Sequence, residues 1–277
     1  GDHRDLHSFP TRRSSDLRNR RENYGVIMPL ESAILTCTAD MQDDRIELLV
    51  KAWGKDEENW DIEHMVIPGD PATKEFWDEK VDVYLQKSFP HMNGSTVSIH
   101  CTLIDSGGHH TDAVYRFVKS RRMRNVYAIR GSKDPAAPLI SRPKKSKLSK
   151  SYKMGVDLIT IGVKTAKDLV ASRLRLKEPG PGFIHFPARF GDEYFDQLAS
   201  EKRTRKYVKG VMIQAWEPVR AGIRNEAWDL EVYQTAAIRM VCPDVAMLNQ
   251  YVEAAKNNRP ISSMAPRRRV RSRGIED

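Results

Sequence analysis

A mixed α/β fold, with one central sheet flanked by helices, is what this sequence predicts, on three observations. Three apolar, β-branched segments follow one another between residues 33 and 67 with only charged turns between them. A helical segment then precedes a further apolar run at 97–105, which leaves room for a parallel crossover. After that, helical spacing and short strands alternate as far as residue 256.

Taken in order, residues 33–40 (AILTCTAD) form the first strand, and 41–44 (MQDD) supply turn residues. Residues 45–54 (RIELLVKAWG) and 60–67 (WDIEHMVI) complete a three-strand meander, which Pro68, Gly69 and Pro71 end. Phe76, Val81, Tyr84 and Leu85 give 73–87 helical spacing, and 97–105 (VSIHCTLID) returns as a strand. Gly107 and Gly108 permit a tight turn before a helix at 111–120 and a strand at 125–130. The basic, Pro- and Ser-containing stretch 131–152 is expected to be a mobile loop, and 152–163 a β-hairpin. A helix at 164–176 stops at the 179–182 segment PGPG. A strand at 183–186, a helix at 192–200 and a strand at 207–216 follow. Asn225 is placed to cap a long helix, and a last helix spans 245–256.

Meander, helix, strand, helix, strand is the order of an RNase H-like fold, expected here over 31–256. Residues 18–30 (RNRRENYGVIMPL) are expected to be a linker into it, and 257–277 a basic disordered tail. The first seventeen residues (GDHRDLHSFPTRRSSDL) show no periodicity and resemble the translated read-through of a sequencing adapter. They are set outside the fold as non-native and disordered.

Composition narrows the function classes. No run approaches the ~20 apolar residues of a membrane span, and the N-terminus has no apolar signal segment. Cys37, Cys101 and Cys242 lack metal-type spacing and suit buried thiols. A net charge of +9 favours a polyanionic partner. The bases are clustered at 116–130 (RFVKSRRMRNVYAIR), 142–153 (RPKKSKLSKSYK) and 201–209 (EKRTRKYVK). One such run is ordinary for a solvated surface. Three of them suggest phosphate contact, with Arg121, Arg122, Arg124, Lys144, Lys145, Lys147 and Lys150 as the candidate DNA-binding residues.

Three aspartates carry the chemistry. Asp40 ends the first strand and Asp105 the fourth. In an RNase H-like sheet these strands are parallel neighbours, so both carboxylates emerge at their C-terminal ends. Asp229 shares a helix face with Val232, Tyr233 and Ala236, and that face must be the packed one. Together they make a cage for a pair of hard divalent cations, Mg²⁺ or Mn²⁺, of the kind that clamps a phosphodiester during in-line hydrolysis. Glu226, one turn before Asp229, is a further candidate metal ligand, whereas Glu231 points to solvent. Each aspartate also has a plainer reading. Asp40 suits a strand-end turn, Asp105 an Asx-turn before Gly107, and Asp229 the favourable end of a helix dipole. His109 and His110 suit a turn or a phosphate contact, and His185 a satisfied core histidine.

Several segments in order carry a resemblance: 38–45 (TADMQDDR), 52–54 (AWG) with 57–60 (EENW), 104–109 (IDSGGH), 164–168 (KTAKD), 182–187 (GFIHFP) and 224–229 (RNEAWD). Over about residues 20–256 the chain resembles the nuclease domain of lambda-type phage terminase large subunits. The resemblance implies a metal-dependent endonuclease that cuts concatemeric double-stranded viral DNA during packaging, with Asp40, Asp105 and Asp229 as its catalytic acids. It also implies the small terminase subunit and the capsid portal as partners, host cytoplasm as the place of action, and an N-terminal packaging ATPase domain before residue 18. The sequence carries no GxxxxGK(S/T) phosphate loop, so ATP is expected only in that other domain. Met41 and Trp228 depart from the family pattern without touching the carboxylates. Two alternatives stay open: another RNase H-like nuclease of resolvase or transposase type, and a non-catalytic DNA-binding packaging module.

Overall fold

The computed structural model describes residues 14–142, 147–208 and 211–257. It opens with α1 (Ser14–Arg18) and the short strand β1 (Arg21–Glu22), then the meander β2 (Ser32–Met41), β3 (Arg45–Gly54) and β4 (Asn59–Pro68). A π-helical turn, Phe76–Val81, runs into α2 (Asp82–Leu85), followed by β5 (Ser88–Pro90), β6 (Thr96–Ser98) and β7 (Cys101–Asp105). Next come α3 (Thr111–Arg121), β8 (Val126–Gly131), β9 (Ile140–Ser141), α4 (Lys150–Met154), β10 (Ile159–Ile161) and α5 (Val163–Leu174). The chain then forms β11 (Ile184–Pro187), α6 (Asp192–Leu198), β12 (Glu201–Val208), β13 (Val211–Pro218), α7 (Glu226–Val241) and α8 (Val245–Lys256).

Nine strands make one mixed sheet in the order β1-β11-β4-β3-β2-β7-β8-β10-β9, the RNase H-like arrangement expected. The meander is antiparallel, while β7, β8 and β10 run parallel to β2. One face packs the Phe76–Leu85 helix and α3 over Leu35, Cys37, Leu48, Val50 and Ile104. The other packs α5, α6 and α7 over Leu49, Leu103, Ile129 and Phe186. Because both faces are covered, the central strands are apolar almost throughout, which is why they stood out in the sequence. All three cysteines are free and buried. Among the described residues no helix is long and apolar enough to cross a membrane.

Several expectations need correction. The 97–105 run is two strands: β6 pairs with β5 in a side hairpin, and β7 joins the main sheet. His100 makes the crossing, its amide donating to the Leu35 carbonyl at 2.8 Å. The expected hairpin at 152–163 is instead α4 and the single strand β10. Ser149 caps α4, and Gly155 closes it in the left-handed conformation that glycine adopts without strain. The 131–152 stretch contains β9 as well as the start of α4. The expected strand at 207–216 is the second arm of a hairpin, β12–β13. Its first arm was hidden by charges such as Lys206, which pairs with Glu217.

The N-terminal readings change most. Residues 18–30 are not a free linker: β1 pairs with β11, and Met28 is fully buried. Ser14–Arg18 is helical, with Leu17 only 1% exposed in the cluster that holds Tyr194 and Phe195. Arg18 reaches Asp196 at 2.5 Å, and the Arg20 guanidinium lies 4.0 Å over the Phe183 ring. The reading that sets 1–17 outside the fold therefore fails for its last four residues. Residues 1–13 lie outside the described residues, as does all of the expected tail at 257–277 except Asn257. Leu17→Ala should cost about 2–4 kcal/mol, as a buried leucine truncation does. Urea unfolding would measure it, and a loss near zero would detach α1 from the core.

Candidate active site

The β2–β7 ladder ends with Ala39 opposite Ile104, so Asp40 and Asp105 are the next residues on neighbouring parallel strands. On the other side of β2, Asp40 pairs with Glu47 of β3, and beyond β7, Asp105 pairs with Ile129 of β8. Cross-strand partners share a face, which puts Glu47, Asp40 and Asp105 in one row beneath α7. That helix supplies Asp229 and, one turn on, Tyr233, whose hydroxyl donates to Asp105 Oδ2 at 3.3 Å. Asp229 lies on the helix face of the buried Val232, Tyr233 and Ala236, but its own side chain keeps 24% of its surface exposed.

The three aspartates sense one another. Burial pushes Asp40 well above the usual carboxylate range, and the charges of Asp105 and Asp229 add to it, opposed by a 2.7 Å hydrogen bond from Gln42. Asp105 is raised by burial, against the donors Gly107 N–H and Tyr233. Burial lifts Asp229 to about 7, with Lys167 opposing and Glu201 and Asp105 contributing. Tyr233, whose hydroxyl already touches Asp105, is raised by burial and then by the charges of Asp105, Asp229 and Asp40. Among the described residues, no three His, Cys, Asp or Glu side chains gather closely enough to form a ready metal cage.

Around this row lie groups the sequence did not single out. Lys167 of α5 binds both Glu201 oxygens at 2.7 and 2.6 Å and stands 3.8 Å from Asp229 Oδ1. Glu47, fully buried, takes Arg45 Nε at 2.8 Å and Arg224 Nη2 at 2.5 Å. Burial pushes its carboxyl up, but hydrogen bonds from His64 and Arg45, with the Arg224 charge, prevail and hold it near 2. The only sequence signals were an acid inside the β3 apolar run and a lysine at the start of α5.

Glu226, the further candidate ligand, is buried and taken by Arg45 at 2.9 Å and Arg224 at 3.2 Å. It anchors arginines behind the row and is not a free oxygen donor. Asn225 sits at the N-cap of α7, but its side chain does not cap; Nδ2 donates to Asp229 Oδ2 at 2.9 Å. Asp105 also forms the Asx-turn that was its plainer reading, accepting from Gly107 N at 3.1 Å. His109 and His110 both approach Asp43, at 3.3 and 3.4 Å, beyond the strand ends. His185 is a satisfied core histidine, held by Glu22 and Glu58 and stacked on Trp60.

The basic candidates separate into two groups. Arg121 is held by Asp82 at 2.7 Å and Asp78 at 2.8 Å, and Arg124, in the turn after α3, also pairs with Asp82, so the two fasten the end of α3 and that turn to the 76–85 helix. Arg122 and Lys150 are exposed, paired with Asp157 and Asp112, each at 2.7 Å. Lys147 is exposed, while Lys144 and Lys145 lie outside the described residues.

Known proteins resemble this chain over most of its length. A model of the terminase large subunit gpA endonuclease domain matches residues 8–248. The chain is 34% identical over 233 residues to the terminase large subunit of Escherichia phage lambda. To that of Enterobacteria phage P21 it is 28% identical over 233 residues. Each comparison takes in 81% of this chain and 35% of the relative, so the chain spans about a third of the length of these relatives.

Proposed function

This chain belongs to the terminase large subunit gpA endonuclease-domain family, and on that premise we propose that it is a divalent-metal-dependent endonuclease cutting concatemeric double-stranded DNA. The observation that carries the proposal is the adjacency of Asp40 and Asp105 at the ends of parallel strands, electrostatically joined to Asp229. Such a donor set suits Mg²⁺ or Mn²⁺: every donor is an oxygen, and charges that repel one another in the protein alone are relieved by a cation. Asp40, Asp105 and Asp229 would hold two such ions. When bound, the ions supply Lewis-acid stabilisation to a phosphodiester undergoing hydrolysis.

The protein's own groups prepare that site. Tyr233 and Gly107 N–H fix the Asp105 carboxylate from two sides. Asn225 orients Asp229, and Lys167 stands beside it as a buried positive charge. Arg45 and Arg224 gather the charges of Glu47 and Glu226 away from the aspartates. By the same family premise, the small terminase subunit and the capsid portal are proposed partners, and host cytoplasm the place of action.

Incubating the full chain with duplex DNA, a four-way junction and an RNA–DNA hybrid tests this reading. Duplex should be cut in Mg²⁺ or Mn²⁺ and left whole in EDTA. Preference for the junction or the hybrid would favour a resolvase- or ribonuclease-type enzyme. Tight DNA binding without cleavage under any divalent ion would make the chain a packaging module instead.

A further inference from the structure

Beside the carboxylate row, on the opposite face of the sheet, lies a cavity of about 510 Å³ lined by Arg122, Arg130, Arg142, Lys150, Tyr115 and Tyr152. We propose that this pocket holds one nucleotide of the DNA strand next to the cut, its phosphate on the arginines and its base against Tyr152. The inference rests on the nuclease reading for its substrate and adds a place where that substrate is gripped.

Position comes first. Ile129 of β8 lies opposite Asp105, and Arg130 is the next residue. By ordinary strand spacing its backbone is therefore roughly 6 Å from that of Asp105. Alternation turns the Arg130 side chain to the α3 face, towards Tyr115, whereas Asp105 faces α7. The pocket is thus a neighbour of the carboxylate site at the same edge of the sheet and not part of it.

Charge comes second. Four cations line the cavity against one carboxylate, Asp157, which Arg122 already occupies at 2.7 Å. Arg130 and Arg142 are exposed and make no ion pair among the described residues. The Lys150–Asp112 pair is about half exposed on both sides, so a phosphate can replace the carboxylate at little cost. A structural role would require partners for these arginines, and no ion pair among the described residues supplies one. A phosphate oxygen pair fits the planar guanidinium fork.

Shape comes third. The cavity is within the size range of small-molecule sites and larger than a phosphate alone requires. Tyr152 is 45% exposed at its rim, an aromatic face on which a base can stack without regard to sequence.

Binding of fluorescent duplex and single-stranded oligonucleotides to the full chain in EDTA, across a salt series, tests the pocket without requiring cleavage. Arg130→Ala with Arg142→Ala should weaken duplex binding roughly ten-fold and lower the salt slope by about 0.9 per lost contact. Both side chains are exposed, so the fold should survive, as equal melting temperatures would verify. Tyr152→Ala should weaken single-strand binding more than duplex binding. Lys74→Ala with Lys80→Ala removes the same charge away from the cavity and should leave binding near wild type. If the arginine pair behaves like this lysine pair, the pocket assignment is overturned, even where the wild-type chain cuts DNA normally. If the arginine pair loses its grip while the wild-type chain cuts nothing in Mn²⁺, the pocket stands and the nuclease reading falls.

Discussion

Asp40→Asn should abolish divalent-dependent cleavage while raising the melting temperature of the metal-free protein. The two effects have one origin. Asp40 is buried at the end of β2, where burial and the charges of Asp105 and Asp229 all disfavour its ionised form. Asparagine keeps the shape, removes the charge and so relieves repulsion in the folded state. The same charge is what a divalent cation needs, so the variant should also lose the stabilisation that Mn²⁺ gives the wild type. Cleavage should fall by about a thousandfold or more, the scale of losing a principal electrostatic contact to the transition state. Melting curves with and without Mn²⁺, beside a duplex-cleavage assay, would measure all three. A folded Asp40→Asn protein that still cuts at the wild-type rate would remove this residue from the site. A variant that cuts nothing but melts lower than wild type would make Asp40 a structural carboxylate.

That the places of Asp40, Asp105 and Asp229 in the fold could be read from sequence has a physical reason. A carboxylate ending a β-branched run must emerge at a strand end, and one on the apolar face of a helix must point inward, so local pattern alone locates it. The central strands were legible because both faces of the sheet are covered and apolar residues dominate β2, β3 and β7, with only a few buried polar side chains such as Glu47 and Lys51 among them. Lys167, Glu47 and Arg224 were not legible, since their importance lies in partners far along the chain: Arg224 meets Glu47 across 177 residues. The β12 arm was missed because Lys202, Arg203, Arg205 and Lys206 leave it without apolar alternation. Leu17 was missed because a single buried side chain in a five-residue helix has no period to detect. Glu231 shows the same limit most clearly. Its neighbours on α7 suggested an exposed position, yet it is 2% exposed, because Lys51 of β3 lies beneath it.

Lys51→Met should therefore be among the most destabilising single changes in this chain. Lys51 Nζ is enclosed by Asp61 Oδ1 at 2.7 Å, Glu231 Oε2 at 2.9 Å and Asn59 Oδ1 at 2.7 Å, and none of the four side chains is more than 2% exposed. Tyr194 closes the cluster, donating to Asp61 at 2.9 Å or Glu231 at 3.1 Å. Methionine matches the stem of lysine but leaves two buried carboxyl groups facing each other without a cation. Breaking a buried pair in this way costs about 3–5 kcal/mol, far more than the pair itself contributes over a well-packed apolar substitute. The deficit should depend on pH, and its sign follows from Asp61. Burial, then Glu231, already raise Asp61 well above its ordinary range, with Lys51 opposing them. Removing Lys51 raises it further. A carboxyl with a raised folded pKa loses nothing below its unfolded pKa and becomes destabilising as pH rises above that value. Lys51→Met should thus approach wild-type stability near pH 4 and fall furthest behind at neutral pH. Because the cluster joins β3 and β4 to α7, and α7 carries Asp229, cleavage at neutral pH should drop at temperatures below the melting point as well. Urea unfolding of both proteins from pH 4 to 8 would decide it. A deficit that is small, or that does not change with pH, would mean the two carboxyl groups find another partner when the lysine is gone.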